Sequence, residues 1–316
     1  MLERMAQAEL SQVYAGEKVV ADLTQPVPKF LHFRVIRLLP NLERREFLHT
    51  NNQPADVVVN DGNYLWHYQP LRGLVEKRKA PSLQQRRTLQ LRTLDLIKEN
   101  YAVKVQALEQ PLDGRRADLL EFSSKLESAR LLRRVWIDRE TGLALRTEVY
   151  GLDARLTHLS YFTRINFSPA VYSETFELRV PNSTRMRTVE ELSLSTLREI
   201  SQEFERSQSV RVHRPSYLPP GFSIIRSQVQ SVNSEKKVLL KFSDGLNTLL
   251  LYQTVLPSAP RPSNQPSRPI DIGGVAGHIF ELGYVRALKW HRDGNYYTLV
   301  GNLPEEELVR TAASIQ

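Results

Sequence analysis

The stretch Val57-Val58-Val59-Asn60-Asp61-Gly62-Asn63-Tyr64-Leu65-Trp66-His67-Tyr68 joins two β-prone runs through a tetrad of turn residues. Asn, Asp and Gly between such runs are typical of the tight turn of a hairpin. In the second run Tyr64, Trp66 and Tyr68 occupy every second position, so they share one face of a strand. This stretch predicts an antiparallel sheet.

The sequence on both sides continues this pattern. Residues 31–39 alternate, with Leu31, Phe33 and Val35 on one face, and residues 44–49 are expected to pair with them. Before this region, residues 2–9 have helical spacing, and Tyr14 to Gly16 breaks it. After it, strands are expected at 119–123, 134–137, 143–149 and 155–167. Residues 1 to about 180 are thus predicted to be an antiparallel sheet with a few helices.

One segment of this first half changes period. In residues 82–98, Leu83, Leu91, Leu94 and Ile97 recur at helical spacing among several arginines. The segment predicts an amphipathic basic helix.

The second half contains a further set of elements. Residues 188–206 predict a helix that begins with a capping box of Thr188 and Glu191, and residues 213–221 are typical of a linker or domain entry. Strands are expected at 222–227, 237–242, 248–252, 277–282, 287–291 and 296–301, with a proline-rich loop between Pro257 and Pro269. A helix begins after Pro304. The second half is therefore predicted to be a smaller α+β domain.

Composition limits the function classes. The chain has 316 residues, enough for about two domains, and no apolar run of the ~18 residues that a membrane-spanning helix needs. Its 43 Lys and Arg against 35 Asp and Glu give a net charge of +8, which fits an anionic partner or a solvated basic surface. Cysteine is absent, which excludes disulfides and thiolate chemistry. No leader pattern follows Met1, so we expect either a cytosolic protein or a mature form.

No catalytic pattern stands out. The seven histidines lack metal-binding spacings, no Gly-x-Ser-x-Gly elbow occurs, and the glycine-rich residues 273–277 precede a strand instead of opening a helix. No recognisable module for DNA or RNA is present. We therefore expect no enzyme activity, no metal, no cofactor and no nucleic-acid partner.

Two sets of residues remain as candidate binding sites. The first is expected to line an apolar cavity and comprises Phe33, Tyr64, Trp66 and Tyr68, although such aromatics also occur as plain core. The second is a basic rim for an anionic group or an acidic partner and comprises Lys79, Arg86, Arg87 and Arg92, with a solvated face as the alternative.

Three motifs of the first half resemble those of the LolA/LppX-like lipoprotein-carrier superfamily. They are the hairpin at 58–70, the strand pair at 136–146 (WIDRETGLALR) and the closing strand from Ile165 through Phe176. The second half, at 218–222, 242–246 and 297–304, is similar to the smaller domain of MucB/RseB sigma-factor regulators. Because a carrier would end after the first domain, the two-domain regulator is the nearer resemblance.

This resemblance implies an α+β protein with an antiparallel half-barrel covered by helices and a smaller α+β domain. The expected boundaries are 1–185 for the half-barrel, 186–212 for a helix and linker, and 213–316 for the small domain. The implied function is that of a non-enzymatic periplasmic or cell-envelope regulator that senses lipid or lipoprotein and binds a membrane-anchored anti-sigma factor. The alternatives are a periplasmic carrier of lipoprotein or lipid and a polyanion-binding module.

Overall fold

The computed structural model describes the chain apart from residues 49–54, 113, 127–130, 152, 193–196, 209–210, 233–234, 257, 259–265 and 283–284. The expected strand end at His49 and most of the proline-rich loop lie outside the described residues. The chain forms two compact units, the first made of Met1–Leu94 and Tyr101–Thr188, the second of Asp95–Asn100 and Val189–Gln316.

The first unit contains an antiparallel sheet and the helices α1 (Leu2–Ser11) and α2 (Leu83–Asn100), whose last residues belong to the second unit. Its strands are β1 (Tyr14–Asp22), β2 (Lys29–Leu38), β3 (Leu42–Leu48), β4 (Val57–Asp61), β5 (Tyr64–Gln69), β6 (Leu74–Lys79), β7 (Tyr101–Ala107), β8 (Ala117–Ser124), β9 (Leu131–Asp138), β10 (Ala144–Tyr150) and β11 (Leu156–Asn166). The strand order is β7-β8-β9-β10-β11-β1-β2-β3-β4-β5-β6. The predicted α+β class and the predicted hairpin of β4 and β5 are confirmed.

Three local predictions for the first unit are wrong. The N-terminal helix ends before Tyr14 as expected, but strand β1 begins at Tyr14 and not at Lys18, where the strand Lys18–Leu23 was expected to start, because Ala15 and Gly16 already pair with both β2 and β11. Strands β6 and β7 were not expected: four of the six residues of β6 are charged, and β7 directly follows the predicted basic helix without a turn signal. Leu91 of α2 is exposed, whereas Leu94 and Ile97 are buried as predicted.

Helix α1 packs against one face of this sheet, which we call the α1 face. Ala8 of α1 is buried together with Tyr14, Val35, Leu143 and Phe162. The registers of β1, β2 and β11 place Tyr14, Val35 and Phe162 on the same side of the sheet. Ala8 of the N-terminal helix is therefore part of a buried cluster of the first unit.

The second unit contains the helices α3 (Leu197–Gln208) and α4 (Glu305–Ala313) and a second antiparallel sheet. Its strands are β12 (Arg185–Leu192), whose residues up to Thr188 belong to the first unit, β13 (Ser223–Val232), β14 (Glu235–Ser243), β15 (Thr248–Val255), β16 (Arg268–Asp271), β17 (Ala276–Leu282), β18 (Val285–Arg292) and β19 (Asn295–Gly301). They lie in the order β12-β13-β14-β15-β19-β18-β17-β16.

The region predicted as one helix over 188–206 is a strand followed by a helix. Glu190, Glu191 and Leu192 pair with β13, so this segment is extended and no capping box forms at Thr188. Helix α3 begins later and buries Ile200 and Phe204 in the core of the second unit. Strand pairing with a distant segment therefore overrides the local helical pattern.

Candidate functional site

The turn between β4 and β5 is held by the side chain of Asp61. Its Oδ1 accepts hydrogen bonds from the backbone N–H groups of Asn63 (2.8 Å) and Tyr64 (2.7 Å), and its Oδ2 accepts one from Trp66 Nε1 at 2.7 Å. Burial alone would raise the pKa of the Asp61 carboxyl, but these bonds and the nearby Lys77 outweigh it and lower the pKa. Trp66 is thus anchored to its own turn.

A lysine lies over the aromatic stripe formed by Tyr64, Trp66 and Tyr68. Lys77 Nζ is 3.8 Å from the ring centroid of Tyr64 and 4.7 Å from that of Trp66, which is within the range of cation–π attraction. The two rings contact each other edge to face at 5.9 Å. An ammonium group therefore covers part of the stripe that was expected to line an apolar cavity.

The strand register does not bring Phe33 together with this stripe. Phe33 on β2 pairs with Phe47 on β3, and Arg45 lies two residues before Phe47 on the same face of β3. Arg45 pairs with Val58 on β4, and Val58 pairs with His67 on β5. Paired residues share a face and neighbours along a strand alternate, so Phe33 and His67 are on one face and Trp66 is on the other. The four expected cavity residues therefore lie on opposite faces of the sheet.

Phe33 lies on the α1 face among other aromatic and aliphatic groups. Its ring centroid is 5.5 Å from that of Phe47, and it packs against the cluster that contains Val35 and Phe162. This face supplies apolar area beside α1.

Charged side chains lie next to this apolar cluster on the same face. Arg37, only 4% exposed, donates from Nη1 to Glu43 Oε2 at 3.3 Å, and Arg45 pairs with Glu43 Oε1 at 2.6 Å. The buried Nη2 of Arg37 has no hydrogen-bond partner in the part of the chain that the structure describes. A buried guanidinium nitrogen of this kind destabilises the folded state unless an acceptor takes its hydrogen bond.

Two more cations belong to this set. Lys18 Nζ lies 5.2 Å from the ring centroid of Phe162, and burial lowers the pKa of its ammonium group. Arg86 of α2 donates to Asn41 Oδ1 at 2.6 Å, and burial together with the charge of Arg37 lowers its pKa. The sequence analysis missed Lys18 and Arg37, although Arg37 continues the alternation of Phe33 and Val35.

The residues of the expected basic rim occupy different surroundings. Lys79 pairs with Tyr64 and is therefore on the stripe face, where it is exposed. Arg87 and Arg92 are exposed on α2, whereas Arg86 is half-buried beside Arg37. The structure therefore separates Arg86 from the other three.

A pocket of about 490 Å³ lies in the second unit. Its apolar lining comes from Leu218, Ile224, Leu240 and Phe242, and Arg214 adds a cation. No sequence pattern had indicated this pocket, because its lining comes from a proline-rich segment and two strands.

Metal sites and membrane spans are not observed in the described ranges. Within them no cluster of three or more His, Asp or Glu side chains is arranged to hold a metal ion. None of their helices combines the length and apolar character that crossing a bilayer requires.

Comparison with known proteins identifies the family. A search of curated proteins found no match. Among solved structures, the Pseudomonas aeruginosa MucA/MucB complex contains a chain with a TM-score of 0.62 and 19% identity, over 100% of this chain and 96% of that chain. The structure of MucB in complex with MucA(peri) has a TM-score of 0.60 and 19% identity, over 100% of this chain and 97% of that chain. The structure of MucB alone has a TM-score of 0.58 and 17% identity, over 99% of this chain and 95% of that chain.

Two family models cover most of the sequence. Residues 212–315 match a domain of unknown function, DUF4367, so a second domain follows the first. Residues 1–181 match the MucB/RseB N-terminal domain, and the chain therefore belongs to the MucB/RseB family.

Proposed function

We propose that this protein is a non-enzymatic regulator of the cell envelope that binds the periplasmic segment of a membrane-anchored anti-sigma factor. One observation supports the proposal most directly: the structural similarity to a chain of the MucA/MucB complex extends over 100% of this chain. A carrier of the first domain alone would not require the second domain. The periplasm is the compartment in which such a partner is accessible.

Binding to an anti-sigma factor is tested with the full chain and the periplasmic segment of the anti-sigma factor whose gene adjoins a sigma-factor gene in the same genome. We expect saturable binding in calorimetry and slower proteolysis of that segment in the complex. The cytoplasmic segment of the same anti-sigma factor is the control and should not bind. Absence of binding, together with saturable binding of a mature lipoprotein, would favour the carrier.

We further propose that the first unit senses lipid on its α1 face, inside a sheet that curves as a half-barrel. The apolar cluster of Phe33, Val35 and Phe162 supports this position. Lys77 over the rings of Tyr64 and Trp66 argues against an acyl chain on the stripe face. Each buried methylene would stabilise the complex by roughly 0.8 kcal/mol, so affinity should rise with chain length.

Two alanine variants separate the two faces. Phe33→Ala should weaken the binding of a fluorescent fatty acid, because it removes a ring beside the expected chain. Trp66→Ala should leave the affinity of the folded protein unchanged, because Trp66 lies on the opposite face. Thermal melting of both variants measures their folded fraction. Loss of affinity in Trp66→Ala alone would instead place the acyl chain on the stripe.

A further inference from the structure

The hairpin turns of the first unit lie at one end of its sheet. Asp22, the last residue of β1, pairs with His158 near the start of β11 and with Lys29 at the start of β2. The ladders continue from there to the β10–β11 and β8–β9 turns on one side and to the β5–β6 turn on the other. Because paired strands are about 4.8 Å apart, neighbouring hairpins are about 10 Å apart. We call this end of the sheet the hairpin end.

The hairpin end carries most of the strongly exposed hydrophobic side chains. Within the described residues, seven large hydrophobic side chains are more than half exposed, and five of them lie at this end. The five are Val27 (77% exposed), Phe30 (68%), Leu71 (66%), Met186 (63%) and Leu126 (57%). Met186 is included because the N–H of its neighbour Arg185 donates to the carbonyl of Gly73 in the β5–β6 turn at 2.9 Å. Exposed hydrophobic groups concentrated in this way are typical of a surface that contacts a partner or a membrane.

Four of these five side chains have a cation as their immediate neighbour in sequence. The four pairs are Lys29-Phe30, Leu71-Arg72, Lys125-Leu126 and Arg185-Met186, and all four cations are exposed. Arg155 in the β10–β11 turn is also exposed and lies 3.5 Å from Asp153. Among the described residues of these segments Asp153 is the only carboxylate, and residues 127–130 add one glutamate and one arginine by sequence. The hairpin end therefore has an excess of positive charge.

A hydrophobic side chain beside a cation on each of several tips matches the layers of an anionic bilayer. The phosphate groups lie above the hydrocarbon, so a protruding hydrophobic side chain can enter the hydrocarbon while the cation next to it stays at the phosphates. Pro26 and Pro28 flank Val27 and restrict the backbone of the β1–β2 turn, which lowers the entropy cost of holding this tip in place. A flat layered partner can meet tips about 10 Å apart at once.

We propose that the hairpin end is a peripheral docking surface for an anionic lipid bilayer, with Phe30 and Leu71 entering its apolar zone and Lys29 and Arg72 meeting its phosphates. This inference goes beyond the proposed function and depends neither on the anti-sigma factor nor on lipid at the α1 face. Docking would concentrate the protein on the surface to which a membrane-anchored partner is confined, which raises the effective concentration of the two proteins.

The first experiment measures binding of the full chain to vesicles by sedimentation. Vesicles of phosphatidylcholine mixed with phosphatidylglycerol are compared with vesicles of phosphatidylcholine alone, at low and at high salt. We expect about tenfold or stronger partitioning into the anionic vesicles at low salt, because several exposed cations face the lipid phosphates. High salt should reduce this preference, since exposed charges are screened. Equal partitioning into both kinds of vesicle would overturn the proposal.

The second experiment changes single residues. Phe30→Gln and Leu71→Gln should each lower partitioning into anionic vesicles about fivefold or more, because a hydrophobic side chain is lost from the contact. Lys29→Gln should lower it about threefold or more and weaken its salt dependence. The matched controls are Leu91→Gln, at a position 62% exposed on α2, and Lys79→Gln, at an exposed position on the far end of β6. Both controls should partition as the wild type does, and all five variants should keep its melting temperature.

The third experiment identifies which residues enter the bilayer. Because the chain has no cysteine, an introduced thiol is a unique labelling site. An environment-sensitive fluorophore on Val27→Cys, Leu126→Cys or Met186→Cys should shift its emission to the blue when anionic vesicles are added. The same label on Leu91→Cys should not shift. An equal shift at all four positions, or a shift at Leu91→Cys alone, would contradict docking through the hairpin end.

The remaining outcomes separate this inference from the proposals above. Binding of the anti-sigma factor segment is measured without vesicles, so a failure of vesicle binding leaves that proposal intact. Loss of vesicle binding in Phe33→Ala but not in Phe30→Gln would place the vesicle contact on the α1 face and overturn the inference. If vesicles do not bind and Phe30→Gln weakens binding of the anti-sigma factor segment, the hairpin end is a protein interface and the inference is wrong.

Discussion

At the scale of single residues, Asp138 shows how one buried carboxylate organises a turn of the first unit. Asp138 is 1% exposed and accepts hydrogen bonds from Arg115 Nη2 (3.2 Å) and from the backbone N–H of Thr141 (2.8 Å). Burial alone would raise the pKa of Asp138, but these interactions outweigh it and hold the pKa below its ordinary value. The ionised form therefore stabilises the turn between β9 and β10.

We expect Asp138→Asn to destabilise the first unit by about 1.5–3 kcal/mol at neutral pH, because charge-assisted hydrogen bonds to Arg115 are lost. A carboxyl with a lowered folded-state pKa contributes stability above its unfolded value of about 3.9, and this contribution disappears as the pH falls through the folded value. The difference in the free energy of unfolding between wild type and Asp138→Asn should therefore shrink below about pH 4. Urea unfolding at a series of pH values measures it.

Glu140 is the control for Asp138 because it also pairs with Arg115 but is exposed. The distance from Arg115 Nη2 to Glu140 Oε2 is 2.9 Å. Glu140→Gln should change the free energy of unfolding by less than about 1 kcal/mol, since exposed ion pairs contribute little. An equal loss in both variants would contradict the role of burial.

The residues of the hairpin motif also have a structural explanation. Asp61 and Trp66 are joined by a hydrogen bond, and Lys77 covers the indole ring. The motif therefore stabilises its own turn, and its resemblance to a carrier family does not require that Trp66 contact a ligand.

At the scale of elements, α3 illustrates how a helix is assigned to a unit by what it buries. Ile200 and Phe204 are both 0% exposed, in contact with the sheet of the second unit. We expect Phe204→Ala to destabilise that unit by about 3–5 kcal/mol, as typical for deletion of a buried ring. Hydrogen exchange measured by mass spectrometry should show faster exchange in β14 and unchanged exchange in β9.

Glu205 is the matched control on the same helix because it is exposed. Glu205→Ala should change exchange free energies by about 0.5 kcal/mol or less. Equal acceleration in β9 and β14 for Phe204→Ala would mean that the two units unfold together.

Elements were predictable where short-range patterns determine them. The hairpin turn at Asn60–Asn63 and the turn at Asp138–Gly142 are formed by side chains within a few residues of one another. Strand β6 was missed because Lys77, Arg78 and Lys79 resemble a basic surface segment, and only pairing with β5 makes it a strand. Strand β12 was taken for a helix for the same reason, since its partner β13 is distant in sequence.

At the scale of the whole molecule, we propose that the two units fold separately, as the expected domains 1–185 and 213–316 suggest, with α3 added to the second. Limited proteolysis of the full chain should cut first at about residues 181–184, ahead of β12 and α3. The full chain is needed because Asp95–Asn100 belongs to the second unit. Mass spectrometry of the fragments identifies the cuts.

A fragment that begins after residue 208 would contradict the assignment of α3, and degradation without resistant fragments would contradict separate folding.

Within the second unit, Asn100 Nδ2 donates to the carbonyls of Gly221 and Asp244, each at 2.9 Å. These two bonds tie the end of α2 to that unit.

The sequence by itself determined the local turns, most strands, the α+β class and the family, because these follow from patterns within a few residues. Only the tertiary structure decided that Phe33 and Trp66 lie on opposite faces and that Lys18 and Arg37 share a face with the apolar cluster. Which residues of different strands share a face depends on every ladder between them, and a shift of one residue in any register reverses the result. That information is held in long-range pairing, which alternation along a single strand does not contain.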